Sequence, residues 1–107
     1  LTRRYSFTAL LDGLQGHTWD CFVSVHGSID SVTGMVTDIG ALDRLVQERV
    51  IRVCDRQELR EVLKAASISG AHLAEFIWSS LVSGVSSGAL KNIRVVQTRD
   101  LSFDYNG

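Results

Sequence analysis

The apolar period of this chain changes twice, and that pattern confines the fold more than any other feature. Residues 4–11 set Tyr5, Phe7, Ala9 and Leu11 against Arg4, Ser6, Thr8 and Leu10, the period of two of a strand. Asp12-Gly13 marks a tight turn. Residues 17–26 carry a second strand, with His17, Trp19, Cys21 and Val23 on one face. Small and polar residues from Gly27 to Gly34 make a loop. The period then becomes helical in DIGALDRLVQERVIRV, where Ile39, Leu42, Leu45, Val46, Val50 and Val53 follow Asp38 as N-cap. After a polar connection, Ser69 caps a second helical stretch through Leu73, Phe76, Ile77 and Leu81, which stops near Gly84 or Gly88. Residues 92–99 return to a strand, and Leu101 to Tyr105 can pair back as a fourth. The order is ββααββ: an α+β domain with both helices on one face of a four-stranded antiparallel sheet.

Composition removes several classes of function. A chain of 107 residues is one domain, 1–107, with no proline, linker or repeat. Its hydrophobic content of 45% excludes disorder. A net charge of −1 without a basic cluster argues against nucleic acid or an anionic membrane as partner. No run reaches the ~18 apolar residues of a membrane span. The first residue is Leu, not Met, so a preceding targeting segment is left open. Cys21 and Cys54 form no disulfide framework and suit a reduced, cytoplasmic chain. The strands carry apolar residues on both faces, Phe22, Val96 and Leu10 opposing the Tyr5 side. A second apolar face implies a partner subunit, so the chain is expected to be an oligomer.

Residues 15–105 resemble the 6-pyruvoyl-tetrahydropterin synthase and 6-carboxytetrahydropterin synthase family, of the tunnelling fold. GSIDSVTGMVTDIGALDRLV (27–46) looks like the family's Gly, Asp, Thr-Gly-Met-Val, Asp and leucine-rich helix. QGHTWDCFVSVHG fits its His-Gly-His-Asn-Tyr strand, and CDRQEL its Asp-His motif with a following leucine. SISGAHLAEFI resembles the Pro-Thr-x-Glu-Asn helix start, and VVQT the strand ending in Glu-Thr. The resemblance implies trimers closing a β-barrel, commonly paired as hexamers, with active sites between subunits that act on small molecules.

The family's catalytic residues do not come with its fold. Its three zinc-binding histidines correspond here to Leu11, Gln15 and His17. Leu11 has no lone pair, and an amide is a poor zinc ligand. Cys21 shares a face with His17 but lies roughly 13 Å along the strand. His26 has the opposite parity, and nothing brings His72 to His17. No metal site and no cofactor is expected. The family's cysteine lies in an insert that is here only Asp12-Gly13-Leu14. Its Asp-His dyad becomes Asp55-Arg56, and an arginine stays protonated. The glutamate that grips a pterin edge becomes Gln97, which must accept one bond and donate another.

Each of these positions has two readings. His17 is either a structural histidine at a strand end or a metal-free general acid or base. Asp55 and Arg56 are a surface ion pair, or Asp55 orients Arg56 to hold a carboxylate or enolate oxygen. Gln15 and Gln97 position a substrate, or have drifted. Trp19 is core packing or a stacking wall for a flat substrate. Cys21 reads as core, and Cys54 is more open. Two functions follow. One is a repurposed, zinc-independent enzyme of lyase or cyclase type, suited to specialised metabolism. It would use His17, Asp55 and Arg56 as catalytic groups and Gln15, Trp19 and Gln97 for binding. The other is a non-catalytic paralogue, a binding or assembly subunit.

Overall fold

The computed structural model of the protein describes residues 1–10, 16–26, 39–66, 68–85 and 89–107. Strands β1 (Thr2–Leu10), β2 (Gly16–His26), β3 (Ala89–Thr98) and β4 (Leu101–Tyr105) form one antiparallel sheet in the order β1-β2-β3-β4. The register sets Ala9 opposite His17, Phe7 opposite Trp19 and Tyr5 opposite Cys21. Because side chains alternate along a strand, this register gathers the apolar members of β1 and β2 on one face. There Phe7, Ala9, Trp19, Cys21, Val23 and Val25 are buried with Ile93 and Val95 of β3.

Helices cover that face. α1 (Ile39–Val46) continues without a break through a π-helical turn, Gln47–Ile51, into α2 (Arg52–Cys54). Leu42, Val46, Val50 and Cys54 are its buried residues, and they recur every four positions. On a helix of 3.6 residues per turn such a stripe drifts by about 40° at each step. The wider turn, in which Arg52 N–H bonds Gln47 O, takes up part of that drift and keeps the stripe on the sheet. Asp38, the expected N-cap, lies outside the described residues.

The connection read as polar contains a short helix, α3 (Leu59–Leu63), which buries Leu59. Its cap is Glu58, whose side chain accepts from Arg60 N–H. α4 (Gly70–Leu81) begins at Ser69, as expected, with a capping box closed by His72. It ends three residues before Gly84. Arg49 reaches its last turn and donates to Ser80 O at 3.2 Å, meeting a carbonyl that the helix leaves free. At the other end of α1, Asp43 accepts from Tyr5 Oη at 2.6 Å and from Arg3 Nη2 at 2.9 Å, tying helix to β1.

The second sheet face corrects an expectation. Phe22, Val96 and Leu10 do lie on it, half-buried, but most of it is a ladder of polar pairs. Thr2 bonds Ser24, Thr8 bonds Thr18, and Asp20 accepts from Ser6 and Arg4. Asp104 accepts from Arg94 and Asn92. Three apolar residues in a polar face do not require an apolar partner, so that argument for an oligomer fails. No described helix is long and apolar enough to cross a membrane.

Candidate functional site at the β1–β2 end of the sheet

The C-terminal ends of β1 and β3 and the start of β2 meet at one end of the sheet, and the 55–58 segment joins them. Arg56 N–H donates to Thr8 O at 2.6 Å and Leu10 N–H to Gln57 O at 2.8 Å. Leu10 and Glu58 form a parallel bridge. The segment thus extends the sheet beyond β1, and the order across this end is 55–58, β1, β2, β3.

His17 stands near the middle of that row. Its ring is half-buried and meets Trp19 edge-on, with centroids 4.7 Å apart. Nε2 donates to the main-chain oxygen of Gln97 at 2.6 Å. Gln97 is therefore beside His17, and it meets the ring through its backbone carbonyl. Gln15 lies outside the described residues, as does Leu11.

Asp55 and Arg56 sit at the same end in an unexpected arrangement. The Asp55 carboxylate accepts from Thr8 N–H at 3.0 Å, so it grips the edge of β1 and does not orient Arg56. A free edge amide is a nearer partner than a side chain that leaves the backbone in another direction. Arg56 adopts φ 61°, the left-handed region that costs a residue with a Cβ about 1 kcal/mol or more. The bonds of Asp55 and Arg56 to the two backbone groups of Thr8 hold that conformation. The Arg56 side chain is exposed and has no partner among the described residues. Two inter-strand spacings, about 10 Å, separate this step from β2.

Trp19 is fully buried, so the indole is core and its faces are closed to a substrate. Yet its Nε1–H finds no partner among the described residues, and neither does the buried Oε2 of Glu58. Each orphaned group costs about 1–3 kcal/mol, and such groups call for an explanation. Both belong to this end of the sheet. Glu58 escapes a reading of the sequence because its burial follows from the bridge to Leu10, not from any periodic pattern. Both thiols are inert: burial raises Cys21 to about 12, helped by the nearby Cys54, and raises Cys54 to about 12.

The family described as 6-pyruvoyl tetrahydropterin synthase matches residues 12–107. The chain belongs to this family. It is 30% identical over 95 residues to 6-pyruvoyl tetrahydrobiopterin synthase of Homo sapiens, a match covering 86% of this chain and 66% of that protein. The protein of the same name from Pongo abelii is 28% identical over 95 residues, with the same coverage. This member of the 6-pyruvoyl tetrahydropterin synthase family thus spans just under two thirds of the length of these curated relatives. A solved structure of 6-pyruvoyl tetrahydropterin synthase from Caenorhabditis elegans superposes with a TM-score of 0.87 at 23% identity. That match covers 100% of this chain and 94% of the other, and it shows the fold.

Zinc, the metal of this family, does not fit the residues present. Of the three positions that the family resemblance gives as zinc ligands, two hold Leu11 and Gln15, and the third, His17, has its Nε2 engaged by a carbonyl. Among the described residues no three histidine, cysteine or carboxylate side chains come together to hold an ion.

Proposed function

We propose that this protein is a zinc-independent member of its family that moves a proton on a small organic substrate, next to a carbonyl. The observation that carries this reading is the half-buried His17 ring, oriented by the Gln97 carbonyl in a site with no matching metal ligands. An imidazole held in one orientation is suited to general acid–base work. Proton transfer of this kind serves elimination, condensation or ring closure, the lyase and cyclase chemistries.

Further residues support it. Arg56, presented on a strained backbone and with a guanidinium that has no partner among the described residues, suits the holding of a carboxylate or an enolate oxygen. Asp55 fixes the strand edge from which Arg56 projects, and Gln15 and Gln97 offer amides for positioning. Trp19 supports His17 from within the core. The orphaned Glu58 oxygen supplies an acceptor at the same end. The reading extends to the assembly, in which a trimer or hexamer would complete the pocket between subunits. It also extends to a cytoplasmic setting, which suits two unpaired thiols.

A second reading, a non-catalytic binding or assembly subunit, is favoured by two observations. Trp19 fills core space, and Asp55 serves the backbone. Elemental analysis tests zinc independence, and mutagenesis separates the two readings. Purified protein should carry zinc well below one ion per chain. Turnover of a carbonyl substrate identified by screening should fall roughly 10²-fold or more in His17→Ala, the scale of a lost general acid or base. Stoichiometric zinc would defeat zinc independence, and turnover undiminished by the substitution would defeat the enzyme reading.

A further inference from the structure

The bond between His17 and Gln97 has a direction. A backbone carbonyl only accepts hydrogen bonds, so at 2.6 Å the proton between them belongs to Nε2. A neutral imidazole carries one proton, which leaves Nδ1 as a bare lone pair. The Trp19 ring, edge-on at 70° between planes, limits rotation of the imidazole about its own bond. Among the described residues nothing bonds Nδ1.

We infer that the main-chain carbonyl of Gln97 is the positioning group of this site, locking His17 as the Nε2–H tautomer with Nδ1 as a proton acceptor. This deepens the proposed function, on which its chemical consequence rests: His17 acts as a base first. The substrate it takes presents an acidic proton to the ring, a hydroxyl or a carbon–hydrogen bond beside a carbonyl. In the step itself, that O–H or C–H bond breaks and its electron pair stays on the substrate as alkoxide or enolate. The proton forms a new N–H bond at Nδ1. The resulting imidazolium keeps its Nε2–H on the Gln97 oxygen. Return of the Nδ1 proton to another substrate atom restores the ring. Because the acceptor is backbone, the lock does not depend on the Gln97 amide, which stays available to the substrate.

Nitrogen NMR of the whole chain labelled with ¹⁵N-histidine tests this at a pH where the ring is neutral. His17 signals are assigned by their loss in His17→Gln, which separates them from His26 and His72. The expected spectrum has Nε2 at the shift of a protonated ring nitrogen and Nδ1 far from it, at that of an unprotonated one. Gln97→Ala should leave both shifts in place. Reversed shifts, or two values averaged toward each other by tautomer exchange, would overturn the inference. Loss of the pattern in Gln97→Ala would overturn the backbone assignment. The pattern does not require turnover. Its presence beside an undiminished His17→Ala activity would refute the enzyme reading alone, and its absence would refute the lock alone.

Discussion

Gly70, the first residue of α4, lies against the ring of Phe103 on β4. A Cβ there would run into Cδ2 and would sit 2.6 Å from Cε2. The ring cannot retreat freely, because β4 is paired to β3 along its length. Gly70→Ala should therefore lower stability by roughly 1–3 kcal/mol, the usual cost of overpacking, read as a drop in the urea midpoint. Adding Phe103→Leu should recover part of the loss; equal midpoints for wild type and Gly70→Ala would remove the steric argument. Single residues of the site differ in how legible they were. His17 stands out by parity and by its place at a strand mouth. Its partner does not, since every residue carries a carbonyl and no letter marks the one that meets a ring. The bond of Asp55 to the Thr8 amide is hidden for a related reason: it exists only once β1 has an edge.

At the scale of elements, the two ends of α4 show what local sequence can and cannot specify. Ser69 accepts from His72 N–H, while His72 Nδ1 accepts from Ser69 N–H, so two otherwise free donors are met. Ser69→Ala should cost about 1 kcal/mol. His72→Glu should retain stability, since a glutamate can close the same box and places negative charge at the helix start. A thermal midpoint that falls as far in His72→Glu as in Ser69→Ala would count against the box. The cap and all four strands were readable because period and capping chemistry are local. α3 was not, since five residues are too few to show a stripe. The π-helical turn was also hidden: a four-residue recurrence of apolar residues looks helical whether or not one turn is widened.

For the whole molecule, the sheet rather than its second face argues for assembly. Described residues extend over 50 × 25 × 21 Å, an elongated plate with an uncovered sheet face. Among the described residues, the 55–58 segment bonds β1 only at Thr8 and Leu10 and no other segment bonds its edge between Thr2 and Ser6, while β4 is the other edge of the sheet. Unpaired edges are places for another strand to add. Light scattering at micromolar concentration should give a trimer or hexamer mass; a monomer would exclude edge-to-edge assembly. The polar ladder is not legible in any one strand, because its pairs form across strands. Asp20 and Asp104 belong to neighbours on other strands, a relation that only the register reveals.

The end of the sheet that holds His17 is fastened through groups that every amino acid possesses. Thr8 contributes its amide and carbonyl, Gln97 its carbonyl, Leu10 its amide. None of these contacts depends on the side chain of the residue that supplies it. A side chain that takes no part in these bonds among the described residues, as at Arg56, can therefore be exchanged while the frame stays put. A frame of this kind tolerates a change of chemistry at such a position without being rebuilt.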